Sequence, residues 1–233
     1  MTDIKGAVVL VTGGGRGLGK ALVADALARG ASKVYATARD PRTITESRIV
    51  PLALEVTDPA SVVALAEQTK DVTVLINNAG VYHAATYLTG DIADVRRDFE
   101  ANFFGPLLLN QAIVPNIVKN GGGHVVNVAS VLSWVALGGS YSASKAALWS
   151  MTNALRLELL GQGVDVTGLH VGYMDTDMAA SVTSFKTDPA EVARLALDGV
   201  ESGAFEVLAD ELTRQVRSGL SADVSAMYPQ LAG

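Results

Sequence analysis

Short runs of apolar, β-branched residues alternate along the chain with longer segments in which apolar positions recur at helical spacing. This alternation predicts parallel strands joined by helical crossovers. The segment 18–29 has the helical spacing, and Gly30 is a candidate for its C-terminal cap. Asp58-Pro59 and Asp188-Pro189 have the pattern of an N-cap and first-turn proline at two further helices. The predicted strands are 7–12, 33–38, 49–54, 72–76, 124–129, 164–171 and 204–209.

The chain of 233 residues is 49% hydrophobic, which suits one substantial core. No linker rich in proline, glycine or serine divides it, and we find no internal repeat. We therefore expect a single domain over residues 1–233. The expected fold class is α/β: a doubly wound, Rossmann-type domain with about seven parallel strands and helices on both faces of the sheet.

The formal net charge of −6 argues against a nucleic-acid surface, because such a surface needs clustered lysine and arginine. The absence of cysteine removes disulfides and thiolate metal sites. His83, His124 and His170 are far apart in sequence, so we expect no metal site. No apolar run approaches the roughly 18 residues of a membrane span, and the N-terminus lacks a secretory signal pattern. We expect a cytoplasmic protein that binds neither membrane nor nucleic acid.

A glycine-rich turn joins the first predicted strand to the first predicted helix. Gly13, Gly17 and Gly19 remove side chains where a backbone must approach a diphosphate. The following helix supplies unpaired N–H groups and a positive dipole end. A tight turn that needs glycine for its own sake is the alternative. The strand–turn–helix context favours a dinucleotide-binding turn.

The spacing Gly-x-x-x-Gly-x-Gly after Thr12 resembles that of the short-chain dehydrogenase/reductase family. Further motifs of the family follow in the same order as far as about residue 178. They are Asn77-Asn78-Ala79-Gly80 after the fourth strand, Asn102 in a long helix, the pair Tyr141-x-x-x-Lys145, and the loop residues Gly172 and Thr176. The resemblance implies an oxidoreductase that uses a nicotinamide dinucleotide.

The end of the second strand predicts which dinucleotide is used. A carboxylate there would bind the ribose hydroxyls of NAD, but this chain has Ala38 followed by Arg39. A 2′-phosphate is then not repelled, and Arg39 can pair with it. Arg16, in the glycine turn, resembles the second basic position of NADP-dependent members. We therefore predict NADP(H), with an ordinary surface loop at Arg39 and Asp40 as the alternative.

The segment after the third strand departs from the family pattern. The family often has Asp-Val there, whereas this chain has Glu55-Val56, so only Val56 is assigned to the cofactor. The predicted cofactor-binding residues are Gly13, Gly15, Arg16, Gly17, Leu18, Gly19, Arg39, Val56, Asn78, Ala79, Gly80, Tyr141, Lys145, Gly172, Met174 and Thr176.

Tyr141 and Lys145 are four residues apart, so they are expected to share a helix face and point into one cleft. A phenol has a pKa of about 10, and we expect the nearby ammonium to lower it by on the order of 1 to 3 units. Tyr141 could then exchange a proton with an alcohol or carbonyl oxygen during hydride transfer. By resemblance, Lys145 would also bind the nicotinamide ribose, and Asn102 would hold a water linking Lys145 to solvent.

Three serines precede the tyrosine and compete for the role of orienting the substrate oxygen. Ser130 closes a strand, where ligands of doubly wound sheets lie. Ser133 lies in the following loop, and Ser140 is explained as an N-cap of the next helix. Ten residues separate Ser130 from Tyr141, fewer than is usual in the family, and Ser133 would leave a shorter interval still. We assign Ser130 and predict a shortened loop after it.

Substrate-binding elements are expected after residues 80, 130 and 172. Their mostly apolar and aromatic residues favour a small, uncharged carbonyl or alcohol substrate, although each could equally belong to the core. They include Tyr82, His83, Leu132, Trp134, Tyr173 and Met174. We therefore predict a carbonyl reductase or alcohol dehydrogenase with the catalytic residues Asn102, Ser130, Tyr141 and Lys145. The alternatives are a non-catalytic NADPH-binding sensor and, with less support from the glycine spacing, an epimerase or dehydratase.

Two predicted helices, at about residues 91–118 and 140–160, have apolar stripes. In the family these helices form a subunit interface, so the resemblance implies a homodimer or homotetramer. A monomer that buries both stripes internally is the alternative. The stripe residues are Phe99, Phe103 and Leu107 in one helix and Leu148, Met151, Leu155 and Leu159 in the other.

Overall fold

Parallel strands form one sheet in the computed structural model, which describes residues 1–44 and 46–231 of the chain. All seven predicted strands are present. They are β1 (Val8–Val11), β2 (Lys33–Ala38), β3 (Ile49–Ala53), β4 (Val74–Asn77), β5 (Gly123–Val128), β6 (Val164–His170) and β7 (Glu206–Leu208). Their order in the sheet is β3-β2-β1-β4-β5-β6-β7. Strands β1 to β3 are added toward one edge of the sheet, and β4 to β7 are added toward the other edge. In such a sheet a crevice opens at the carboxyl ends of β1 and β4, where the order changes.

Helices cover both faces of this sheet. They are α1 (Gly17–Ala28), α2 (Pro59–Gln68), α3 (Ile92–Phe99), α4 (Gly105–Lys119), α5 (Gly139–Glu158), α6 (Pro189–Ser202), α7 (Glu211–Ser218) and α8 (Val224–Met227). A π-helical turn over Glu100–Phe104 joins α3 to α4. The predicted doubly wound α/β fold is therefore confirmed.

The core lies in two layers, one on each face of the sheet. Successive residues of β1 alternate between them, because side chains of a strand point to opposite faces. Val9 and Val11 pack with residues of α1 and α6, whereas Leu10 packs with residues of α2 and α4. Such burial on both faces explains why the strands are near-continuous apolar runs.

The predicted helix ends are mostly correct. Asp58 and Asp188 each accept a hydrogen bond from a first-turn N–H, as N-caps do, and Gly30 has a left-handed φ of 86° just after α1. The prediction that Ser140 is an N-cap is wrong. Helix α5 begins one residue earlier, at Gly139, so Ser140 lies inside its first turn, where its hydroxyl donates to Asp98.

Candidate active site

Several positions of the glycine turn have no space for a side chain. Gly13 and Gly17 have φ values of 65° and 51°, which favour glycine, and a Cβ on Gly19 would lie 2.1 Å from the carbonyl oxygen of Gly13. The first-turn N–H groups of a helix have no acceptor within the helix itself. Arg16, the residue before α1, does not cap them with its side chain, so they can bind a ligand. This uncapped N-terminus, beside a turn without side chains at Gly13 and Gly17, fits a diphosphate.

The end of β4 is fastened to this turn through Thr12, which is buried. The Thr12 hydroxyl oxygen accepts from the N–H groups of Asn78 (2.9 Å) and Ala79 (3.0 Å). The Asn78 side chain in turn donates to the carbonyl oxygen of Thr12 (2.8 Å). The predicted residues Asn78, Ala79 and Gly80 are thereby held against the glycine turn. A polar residue closing an apolar strand was the sequence signal for Thr12.

Arg39 is exposed at the end of β2, and no carboxylate lies within ion-pair distance of it among residues 1–44 and 46–231. The neighbouring Asp40 is paired instead with Arg42, which donates from Nε (2.8 Å) and Nη2 (2.7 Å). Hydrogen bonds from Arg42 hold the pKa of Asp40 below its usual value. The sequence did not single out Arg42. Its effect is to occupy the one carboxylate that adjoins Arg39.

The loop after β6 reaches the glycine turn from the other side. The methyl group of Thr176 would lie 3.3 Å from a Cβ on Gly17, and Arg16 faces Asp177 at 3.7 Å. Met174 bridges to Thr187, which closes the loop on itself. Thr176 is therefore near the turn, while Arg16 has an exposed acidic neighbour.

Four further predicted cofactor residues are fixed in position by a backbone hydrogen bond or by packing contacts. The N–H of Gly172 donates to Asp210, which also caps α7, and a Cβ on Gly15 would touch Thr43 and Ile44. Val56 packs against Gly105 at the start of α4. The side chain of Leu18 is buried in the core, so only its backbone can face a ligand. Asp210 was not predicted.

Tyr141 and Lys145 are both buried on α5. Lys145 Nζ donates to the carbonyl oxygen of Val128 (2.7 Å) and lies 5.7 Å from the centre of the Tyr141 ring. Burial raises the pKa of Tyr141 to about 12, although the Ser130 side chain acts in the opposite direction. Burial also lowers the pKa of Lys145 to about 8. The prediction of a lowered Tyr141 pKa is wrong for this structure, because removal of the phenol from water outweighs the hydrogen bond from Ser130.

Asn102 lies in the π-helical turn and is completely buried. Its side chain pairs with the backbone of Val81 in both directions, at 2.9 and 3.0 Å, and donates to Ser144 on α5 (3.0 Å). A Cβ on Gly80 would lie 2.8 Å from Asn102 Oδ1 and 3.7 Å from Lys145 Nζ. Gly80 therefore lets the asparagine and the lysine approach each other.

Ser130 and Ser133 have different surroundings. The Ser130 hydroxyl oxygen accepts from the N–H of Leu132 (3.1 Å), which leaves its own proton free to be donated. The Ser133 hydroxyl oxygen accepts from the N–H of Ser130 (3.2 Å) and completes a capping box. Ser133 thus has a backbone role that accounts for it, and Ser130 adjoins Tyr141.

The predicted substrate walls divide into cleft and core residues. The Tyr82 ring meets the Tyr141 ring edge-on at 4.8 Å, and Tyr82 and Tyr173 are 46% and 44% exposed. Trp134 instead stacks on His170 at 4.1 Å, inside the molecule. The ring of His170 faces the carbonyl oxygen of Ser130 (3.2 Å). Trp134 therefore supports the loop after Ser130 rather than lining the cleft.

A family model described as short chain dehydrogenase matches residues 7–187. The chain belongs to the short-chain dehydrogenase family. A crystal structure of a short-chain dehydrogenase from Burkholderia cenocepacia in complex with NADP is 37% identical, with a TM-score of 0.94 over 100% of both chains. Ketoacyl reductase HetN of Nostoc sp. is 29% identical, over 91% of this chain and 81% of its own length.

A short-chain dehydrogenase/reductase from Burkholderia phymatum in complex with NAD has the same fold, with a TM-score of 0.85 over 93% of this chain and 94% of its own. It is 23% identical to this chain. Short-chain dehydrogenases are oxidoreductases that use NAD(P)(H), and this one is an enzyme of that family acting on CH–OH or C=O groups. In the part of the chain that the structure describes, no helix has both the length and the apolar character needed to cross a membrane.

Proposed function

We propose that this short-chain dehydrogenase is an NADP(H)-dependent carbonyl reductase, with Tyr141 as its general acid/base and a small, apolar ketone or aldehyde as its substrate. The observation that best supports this role is the position of Tyr141. It is buried beside Ser130 and Lys145, beyond the carboxyl end of β5. Gly80 lies close to Lys145, and Asn78, two residues earlier, donates to the carbonyl oxygen of Gly13 in the glycine turn.

The raised pKa of Tyr141 keeps the phenol protonated at neutral pH, which is the state that a proton donor in carbonyl reduction needs. The bound nicotinamide supplies the hydride in this direction. Ser130 donates its free hydroxyl proton to the carbonyl oxygen and so holds that oxygen near the phenol. The ammonium of Lys145 stabilises the phenolate that forms as the proton leaves. Asn102 holds the loop at Val81 against α5 and keeps these groups together.

NADP(H) is proposed rather than NAD(H) because of the charges beyond β2. Among the residues that the structure describes, no carboxylate pairs with Arg39, and Asp40 is occupied by Arg42. A 2′-phosphate would therefore meet a free guanidinium rather than a free carboxylate. The NADP complex of the Burkholderia cenocepacia relative supports the same choice.

An apolar substrate is proposed because of the side chains exposed in the loops that follow β4, β5 and β6. Tyr82 covers the tyrosine ring, and Leu137, Tyr173, Met178 and Phe185 are exposed in the loops after β5 and β6. Such walls favour uncharged carbonyl compounds over sugar phosphates. The relative described as a ketoacyl reductase gives further support for a carbonyl substrate.

NADPH oxidation with a panel of ketones and aldehydes tests the proposal. Tyr141→Phe should lower kcat by about 10²- to 10⁴-fold, the usual contribution of a positioned acid, while NADPH still binds. Tyr35→Phe is the matched control, because Tyr35 is a buried tyrosine whose hydroxyl bonds Asp71 away from the site. Unchanged turnover in Tyr141→Phe would contradict the mechanism. A parent protein that binds NADPH and reduces nothing in the panel would favour the sensor alternative.

A homo-oligomer is also proposed, with α4 and α5 at its interface. A groove of about 630 Å³ runs between these helices and is open to solvent. It is lined by stripe residues predicted from the sequence, Leu107, Met151, Leu155 and Leu159, whereas Leu148 is buried inside the subunit. A second copy would cover this apolar surface. Light scattering on the purified protein measures the number of subunits.

A further inference from the structure

The carboxylate of Asp98 is completely buried beside the proposed site, at the end of α3. Its Oδ1 accepts from the N–H of His83 (3.0 Å) and lies 3.0 Å from His83 Nδ1. Its Oδ2 accepts from the N–H of Ala84 (3.1 Å) and from the Ser140 hydroxyl (2.5 Å). A carboxylate only accepts hydrogen bonds, so the four contacts occupy both of its oxygens.

These contacts join the loop after β4 to the first turn of the helix that holds Tyr141. We call residues 81–87 the β4 loop. Its residue Ala85 exchanges two hydrogen bonds with Ser140, each 3.0 Å long, and the Tyr87 hydroxyl donates to the carbonyl oxygen of Gly139 (2.9 Å). Asp98 is buried next to these contacts and is hydrogen-bonded both to the β4 loop and to Ser140 of α5.

Backbone strain at Ala84 shows that the β4 loop needs to be held. Ala84 has a φ of 53°, which no other non-glycine residue shares in the described part of the chain. The left-handed conformation is unfavourable for alanine because of its Cβ. The N–H of Ala84 donates to Asp98, so the carboxylate stabilises the loop at its strained residue.

The β4 loop also places an aromatic ring on the proposed acid. Tyr82, one residue before His83, meets the Tyr141 ring at 4.8 Å with the two planes 64° apart. We propose that Asp98 is a positioning residue, which fastens the β4 loop to α5 and thereby sets Tyr82 over Tyr141 at the carbonyl side of the cleft. This inference rests on the proposed function, since it assumes that the carbonyl compound binds beside Tyr141.

Hydrogen exchange tests the positioning without any turnover. In Asp98→Asn, the amide hydrogens of the β4 loop should exchange faster than in the parent protein, because one carboxylate oxygen becomes a donor that faces other donors. Asp94→Asn is the matched control, since Asp94 is in the same helix and pairs with Arg97 on the surface, away from the β4 loop. Parent-like exchange of the β4 loop in folded Asp98→Asn would overturn the proposal.

Kinetics then test what the positioning does. Asp98→Asn should lower kcat/KM for the carbonyl substrate by about tenfold, as loss of a charge-assisted hydrogen bond does, with the Kd of NADPH nearly unchanged. Tyr82→Leu should have a similar effect. The double variant should be little worse than either single one, because Asp98 acts through Tyr82. Fully additive effects would contradict this route.

Ser140→Ala is the second variant, for the case in which Asp98→Asn does not fold. It removes one of the four contacts and should give the same two changes at smaller size. An unaltered β4 loop and unaltered kcat/KM in this variant would count against the proposal. If the parent protein reduces no carbonyl compound, the proposed function fails, whereas the exchange result still decides whether Asp98 holds the loop.

Discussion

The glycine turn and α5, the helix of Tyr141 and Lys145, are built in opposite ways. The turn has no side chains at its closest approach, where a Cβ on Gly19 would lie 2.1 Å from a carbonyl oxygen. Around α5, Ser130, Tyr141 and Lys145 are each less than 10% exposed, and Lys145 and Ser130 are hydrogen-bonded to backbone groups. The turn should therefore be most sensitive to added atoms, and the helix to removed atoms or protons.

An added methyl group tests the first half of this comparison. Gly19→Ala should weaken NADPH binding by about hundredfold, because overpacking of this size costs several times the thermal energy and moves the turn. Fluorescence titration with NADPH measures the effect. Gly219→Ala is the control, since a Cβ there meets its nearest atom at 3.5 Å, an ordinary contact. NADPH affinity unchanged by Gly19→Ala would show that the turn is not a close-approach site.

The same contrast explains what the sequence could predict. The glycine turn, the strands and the pair Tyr141 and Lys145 are local patterns, readable from spacing alone. Asp98 was hidden, because an acidic residue beside the apolar stripe of Phe99 resembles a solvated one until the fold buries it. Ser140 was assigned to a cap for the same reason. Its partner is distant in sequence, so no local pattern could reveal it.

The direction in which the Tyr141 pKa shifts was predicted wrongly for a related physical reason. The neighbouring ammonium can be counted from sequence spacing, whereas the depth of burial depends on how α5 packs against the sheet and the β4 loop. In the structure, burial is the larger effect on both residues, raising the pKa of Tyr141 and lowering that of Lys145. Local charge can be predicted from the sequence, but desolvation cannot.

Removal of a proton tests the second half of the comparison. With a pKa of about 8, Lys145 loses its charge as the pH rises through that value, while Tyr141, at about 12, stays protonated. kcat/KM for carbonyl reduction should therefore be level below about pH 7 and fall roughly tenfold per unit above pH 8. NADPH binding should change less, because its phosphates are proposed to bind to the glycine turn and to arginines rather than to Lys145. A level profile up to pH 10 would contradict the role of the ammonium.

The smallest expected effects are at the exposed arginines beyond β2, where solvent screens each charge. Arg39→Ala should lower the preference for NADPH over NADH by about tenfold, the value of one charge-assisted contact to a phosphate. Arg42→Ala should lower it by only a few-fold, because it frees Asp40 to repel the 2′-phosphate rather than removing a contact.

Asp40→Asn in the Arg42→Ala background separates these two explanations. If Arg42 acts by occupying Asp40, neutralising that carboxylate should restore the parent preference, measured as the ratio of kcat/KM for the two dinucleotides. If the preference stays low, Arg42 contacts the phosphate itself. An unchanged preference in Arg39→Ala would instead remove the main support for NADP(H), since the choice of dinucleotide would then not depend on charge at the end of β2.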